Sequence, residues 1–153
     1  MKDLKYLLAY LMPASALLAL TWQGLSSWAT VILAFLIIPV TEMLLPFSTA
    51  NVPADAEKDR SGQPFFDWLL YLNAPLLFGI VGWYLYIITH QSLSIPELLG
   101  LTLGTGIIVG ANGINVAHEL GHRSNPLEQG LSKWMLLPAL YQHFFIEHNR
   151  GHH

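Results

Sequence analysis

Apolar residues along this 153-residue chain fall in long unbroken runs rather than in the short alternations of a soluble fold. A hydrocarbon core of about 30 Å needs about twenty apolar residues wound as a helix. Four runs meet that length, at residues 4–22, 28–46, 68–89 and 95–117. The pattern predicts an all-α protein, an integral-membrane helical bundle with four transmembrane helices. Residues 23–27 and 90–94 leave room only for tight turns, so the spans they join form antiparallel hairpins. Residues 51–64 carry Asp55, Glu57, Lys58, Asp59, Arg60 and two prolines, and read as the one fully solvated stretch. After the fourth span, Ser124-Asn125-Pro126 is expected to break the helix. Ser132 is then expected to cap a further helix running through Trp134 and Tyr141 toward His148. That segment is short and interrupted by Pro138, so it is placed at the cytoplasmic or interfacial surface rather than across the bilayer.

Composition supports the same class. Hydrophobic residues make up 53% of the chain and charged residues 11%, against roughly 25% charged in soluble domains. Mean hydropathy is +0.44. Residues 1–153 read as part of a single domain without internal repeats, and the net charge of −3 is too mild to imply a partner such as nucleic acid. Lys2 and Lys5 precede an apolar run as in a signal peptide, but no small-residue cleavage site follows and apolar runs recur. The N-terminal run is therefore taken as the first transmembrane helix.

Charge placement orients the bundle. All seven basic residues, Lys2, Lys5, Lys58, Arg60, Arg123, Lys133 and Arg150, fall on one side of a four-span arrangement. The positive-inside rule makes that side cytoplasmic. Trp22, Trp28 and Trp68 flank span ends as an aromatic belt does. Gly100, Gly104, Gly106, Gly110 and Gly113 give the fourth span a small-residue stripe suited to close helix packing.

The candidate chemistry lies in two histidine clusters, His118-Glu119-Leu120-Gly121-His122 and Glu147-His148-Asn149-Arg150-Gly151-His152-His153. Residues four apart on a helix project from one face, one turn apart, so His118 and His122 can grip a common ion. His148 and His152 repeat that spacing, and His153 adds a further imidazole. The isolated His90 reads as structural. With no cysteine in the chain, any metal must be held by nitrogen and oxygen. The first cluster fits the HExxH pattern of zinc proteases, with Glu119 as general base. Five clustered histidines exceed the three protein ligands of a catalytic zinc, which favours a dinuclear site. Imidazole alone does not choose the metal.

Other polar and aromatic residues are weaker candidates. Glu42 is an intramembrane carboxylate that either faces the metal chamber or snorkels to the interface. Asn115 lies on nearly the face of His118, and His143 lies off the face of His148. Both read as supporting or structural positions. Phe35, Phe78 and Trp83 are candidates for the wall of a substrate channel, with core packing or lipid contact as the alternative role.

The strings HELGHR at 118–123 and EHNRGHH at 147–153 resemble the first two histidine boxes of the integral-membrane alkane hydroxylases, within the membrane fatty acid desaturase and hydroxylase superfamily. The resemblance extends to the four preceding spans, the polar loop after the second, and His143-Phe144 leading into the second box. It implies a non-haem centre of two iron ions that uses dioxygen and electrons from rubredoxin and its reductase to hydroxylate the terminal carbon of an alkane. It also implies that His118, His122, His148, His152 and His153 are iron ligands, with Glu119 and Glu147 as partners that orient imidazoles. The location implied is a bacterial inner membrane. In such enzymes two more transmembrane helices and further histidine-bearing elements follow, so the chain is expected to be an N-terminal fragment of a six-helix fold, inactive alone. A desaturase, an aromatic-methyl hydroxylase, a membrane zinc metalloprotease and a non-catalytic metal-binding remnant are the alternatives.

Overall fold

The computed structural model describes the backbone of residues 2–45 and 64–151 and the side chains of residues 6–45 and 64–148. Every regular element among them is helical. A 3₁₀ stretch, Lys2–Tyr10, leads into α1 (Leu11–Trp22). A second, Gly24–Trp28, leads into α2 (Ala29–Ile32), a π-helical stretch (Leu33–Ile37) and α3 (Ile38–Leu44). There follow α4 (Pro64–Tyr71), α5 (Asn73–His90), α6 (Ile95–Ile107), a second π-helical stretch (Ile108–Ile114), α7 (Asn115–Gly121), α8 (Pro126–Met135) and α9 (His143–Gly151).

These elements join end to end into three helical stretches long and apolar enough to cross a bilayer, Gly24–Leu44, Pro64–His90 and Ile95–Gly121. The apolar helix Tyr6–Trp22 is shorter. The architecture is a membrane helical bundle. Its last long helix does not stop at residue 117 but carries the first histidine motif within its own final turns. The charged residues of the expected loop at 51–63 lie outside the described residues.

One end of the bundle is locked by its two turns. Gln23 and Gly24 both take positive φ, 50° and 54°, to reverse the chain after α1. The Gly24 N–H then donates to Glu97 Oε1 at 3.0 Å, and the Gln23 amide reaches Gln91 at 2.6 Å. Glu97 simultaneously completes a capping box with Ser94 at the start of α6, which satisfies helix-terminal N–H groups that lipid cannot.

Packing explains the glycine stripe in part. In lipid, helices associate through close van der Waals contact rather than through the hydrophobic effect. A Cβ at Gly100 would lie 2.8 Å from the Ser27 carbonyl oxygen, and one at Gly104 would lie 3.2 Å from Thr30 Cβ. These two glycines let the Gly24–Leu44 stretch approach α6. Gly106 and Gly110 have open space beside them. The approach is confined to the first half of Gly24–Leu44: Ser27 and Thr30 are buried, whereas nothing from Leu33 to Leu44 is. Pro39 sits just after the π turn; its ring crowds the carbonyl four residues back and supplies no N–H, a standard cause of such a widening.

The second π stretch matters more for function. Buried positions along the last long helix run Leu101, Gly104, Thr105 and Ile108, then resume at Gly113, Ala117, Leu120 and Gly121. The step from 108 to 113 is one residue longer than an α-helical face allows. An uninterrupted α-helix would bring residues 112, 115 and 122 onto the packing face. The extra residue rotates the helix end by roughly 100°. Ala117, Leu120 and Gly121 take up the packing, and His118 and His122 are left beside it, half-buried and exposed.

Candidate metal centre

Three imidazoles converge where α7 meets α9. His118 belongs to α7, His122 is the residue that caps its C-terminus, and His148 comes from α9. Their Nε2 atoms form a triangle: 2.8 Å from His118 to His148, 3.0 Å from His118 to His122 and 3.0 Å from His122 to His148. The two sequence motifs are therefore brought to one point by tertiary packing.

The triangle itself tests whether a cation fits. A ring nitrogen either carries a proton or presents a lone pair, so among three nitrogens at least one pair must be alike. No choice of tautomers makes all three edges hydrogen bonds. A cation facing three lone pairs removes the conflict. Three nitrogens held at right angles about an ion, at about 2.0–2.1 Å, stand about 2.9 Å apart, which is the spacing seen. The donor set fits a metal ion that accepts nitrogen ligands.

The helices that carry these histidines are held by contacts absent from any local motif. Phe144 lies three residues after Tyr141 and four before His148, and the three rings stack along α9 and its approach. Phe144 and His148 are 5.0 Å apart at 17°, and Tyr141 and Phe144 are 5.2 Å apart at 24°. This column fixes the plane of the His148 imidazole. Gly121, between His118 and His122, leaves no room for a Cβ, which would lie 3.1 Å from Ser132 Oγ and 3.4 Å from the Phe145 ring. Ser132 donates to the Ala117 carbonyl at 2.5 Å, and Lys133 stands 4.5 Å over the Phe145 ring. Ser132 is thus an interior residue of α8 that bonds α7, not the helix cap expected of it. Asn125 is the cap, accepting from the Leu127 N–H at 3.0 Å. Its place directly before Pro126 is a start signal that outranks Ser132.

A charged cluster borders the centre. The Arg123 Nη1 group donates to both Asp67 and Glu128, and the Tyr71 hydroxyl donates to the same Glu128 oxygen at 2.6 Å. Hydrogen bonding to Asp67 holds the Arg123 pKa above its ordinary value, against the opposing effect of burial. Asp67 on α4 and Glu128 on α8 stand 56 and 5 residues from Arg123, so no spacing rule joins them. Their only sequence signal is that each is a carboxylate near a span end, on the side rich in basic residues.

Other sequence candidates stand apart. Asn115, Glu119 and Glu147 are exposed, and among the described residues none of them hydrogen-bonds His118. His143 is exposed and meets Tyr141 edge-on at 4.7 Å. Phe35 is 71% exposed, and Glu42 and Trp83 also lie on exposed faces. Phe78 is half-buried and packs edge-on to Trp134 at 6.3 Å. His152 and His153 lie outside the described residues.

No family model matches the chain, but individual proteins do. It is 29% identical to alkane 1-monooxygenase 1 of Alcanivorax borkumensis, over 97% of this chain and 38% of that protein. It is 34% identical to alkane 1-monooxygenase 1 of Pseudomonas aeruginosa, over 96% of this chain and 40% of that protein. With alkane 1-monooxygenase 2 of the same organism the figures are 33% identity, 82% and 34%. The chain thus spans about two fifths or less of the length of these curated relatives. Similarity runs through almost the whole chain and always to proteins of one name, so the chain is similar to a part of the alkane 1-monooxygenases.

Proposed function

We propose that the full-length protein is a non-haem diiron monooxygenase that converts alkanes to primary alcohols, with rubredoxin and its reductase supplying electrons. The observation that carries this reading is the His118–His122–His148 triangle, which joins the two histidine motifs through three imidazole nitrogens whose mutual contacts no set of tautomers turns into three hydrogen bonds. Similarity to the alkane 1-monooxygenases supports the substrate class. His118, His122, His148, His152 and His153 are the proposed ligands from this chain, and the remaining ones come from the rest of the full-length protein. Two irons, when bound, supply the redox chemistry that lets dioxygen insert one oxygen atom into a terminal C–H bond.

The chain's own residues hold and shield that centre. Phe144, Phe145 and Gly121 pack beside His118 and His148 and leave only a narrow crevice there, which shields that side of the centre from bulk water, while His122 faces outward. Phe78, half-buried against Trp134, is the proposed wall residue for an alkane entering from lipid. Phe35, Glu42 and Trp83 fit the outer, lipid-facing surface, and Glu119, Glu147, Asn115 and His143 are more distant supports. The bundle is proposed to cross the membrane four times, the short Tyr6–Trp22 helix included, as one domain in a bacterial inner membrane. The seven basic residues then share the cytoplasmic side with both histidine motifs.

The test is alcohol formation from a medium-chain alkane by membranes containing the full-length protein, rubredoxin and a reductant, together with metal analysis. Two irons per chain and a primary alcohol are expected. One zinc per chain and no alcohol would overturn the reading in favour of a metalloprotease.

A further inference from the structure

We infer that Asp67, Tyr71 and Glu128 form a clamp on Arg123 that positions His122 toward His118 and His148; this rests on the reading of those three histidines as metal ligands. His122 is not inside a helix. It is the C-terminal cap of α7, at φ −79° and ψ −13°, where the His122 N–H and, at 3.3 Å, the Arg123 N–H both turn back on the Leu120 carbonyl. Helix ends of this kind fray, yet the His122 imidazole must hold its place to about half an ångström for a ligand geometry to persist.

The next residue supplies the restraint from both its side chain and its main chain. Arg123 Nη1 donates to Asp67 on α4 and, at 2.9 Å, to Glu128 on α8. Tyr71 of α4 donates to Glu128 and so closes the ring between the two helices. The Gln129 amide donates to the Arg123 carbonyl at 2.8 Å. Glu128 is buried, at 8% exposure, and its charge is matched in place by Arg123. Charge-assisted bonds of this type are stronger and shorter than neutral ones. The clamp therefore ties the frayed end of the ligand helix to two neighbouring helices one residue beyond a ligand, acting on metal geometry through the backbone of His122. Asp67, Tyr71 and Glu128 are positioning residues rather than ligands.

The experiment uses the full-length protein in detergent, stripped of metal by a chelator and titrated with Co²⁺, whose visible absorption reports ligand number and symmetry. The double variant Asp67→Asn/Glu128→Gln is expected to bind Co²⁺ about tenfold more weakly, as substitutions of groups that orient ligands commonly do, with an altered spectrum. Tyr71→Phe, which removes one hydroxyl and leaves the helices intact, is expected to weaken binding about two- to tenfold, the range of one hydrogen bond. Glu97→Gln breaks the turn lock at the far end of the bundle and is expected to leave Co²⁺ affinity and spectrum unchanged. Should His118→Ala bind Co²⁺ like the unaltered protein, the ligand reading itself fails. Should His118→Ala lose binding while the double variant and Tyr71→Phe keep affinity and spectrum, the clamp is overturned and the ligand reading stands. Equal weakening by Glu97→Gln and the double variant would also overturn it, because general loosening of the bundle would then account for both.

Discussion

His118 and His148, thirty residues apart in sequence, bring their Nε2 atoms to within 2.8 Å of each other. Their meeting brings two motifs, each supplying only part of the proposed ligand set, to one candidate metal site. In the full-length protein, His148→Ala is expected to lower metal content and alkane hydroxylation as severely as His118→Ala. Iron analysis and alcohol production from isolated membranes check this, and near-normal activity in either variant would remove that residue from the ligand set.

Phe144 stacks on His148 at 17° and also borders His118 at 6.0 Å. Phe144→Ala leaves the imidazole free to rotate and opens the crevice beside it. A loss of about ten- to a hundredfold in metal affinity is expected, measured by competition with a chromophoric chelator, while Phe144→Tyr retains most of the affinity.

Two glycines on one long helix should respond oppositely. Gly121→Ala drives a Cβ against Ser132 and Phe145, and overpacking of this kind costs about 1–3 kcal/mol. Gly110→Ala meets nothing within 4 Å and exchanges a flexible residue for a helix former, worth about 0.5–1 kcal/mol in the other direction. Denaturation of the two variants in mixed micelles reads the difference.

Leu140 holds φ at 52°, where glycine is the usual occupant. It closes the turn after α8, with the Leu140 N–H on the Leu137 carbonyl at 2.9 Å and the Tyr141 N–H on the Leu136 carbonyl at 3.1 Å. Leu140→Gly removes the clash of a left-handed side chain, which costs roughly 1–2 kcal/mol, and forfeits little packing because Leu140 is 88% exposed. A gain of about 1 kcal/mol in stability is expected, read as a raised unfolding midpoint.

The π stretch Ile108–Ile114 sets the direction in which the first motif faces. Deleting Ala111, an exposed residue within it, makes the step from Ile108 to Gly113 four residues, so a continuous α-helix keeps Gly113, Ala117 and Leu120 on the packing face and His118 and His122 beside it. Helix content by circular dichroism and metal binding are both expected to persist in that variant, whereas one alanine inserted after Ala111 turns the helix end by roughly a further 100° and is expected to lose metal binding. Unchanged metal binding in the insertion variant would show that the rotation has no bearing on the site.

The sequence by itself determined that the chain is helical and membrane-embedded, because runs of about twenty apolar residues have one stable way to satisfy their backbone in lipid. It also determined which residues could hold a metal, since histidine spacing is a local property of one helix. Three matters were decided only by tertiary structure. The helix phase at His118 and His122 depends on a π turn whose residues read as ordinary packing glycines and an asparagine. The bond of Ser132 to Ala117 and of Arg123 to Asp67 joins residues 15 and 56 positions apart. Glycine's use also divides, with Gly100, Gly104 and Gly121 at close approaches and Gly106 and Gly110 facing open space. Periodicity reports only which face of a helix is apolar; how far one helix slides and turns against another is set by the summed contacts of the whole bundle, and those contacts bring the two histidine motifs to one point.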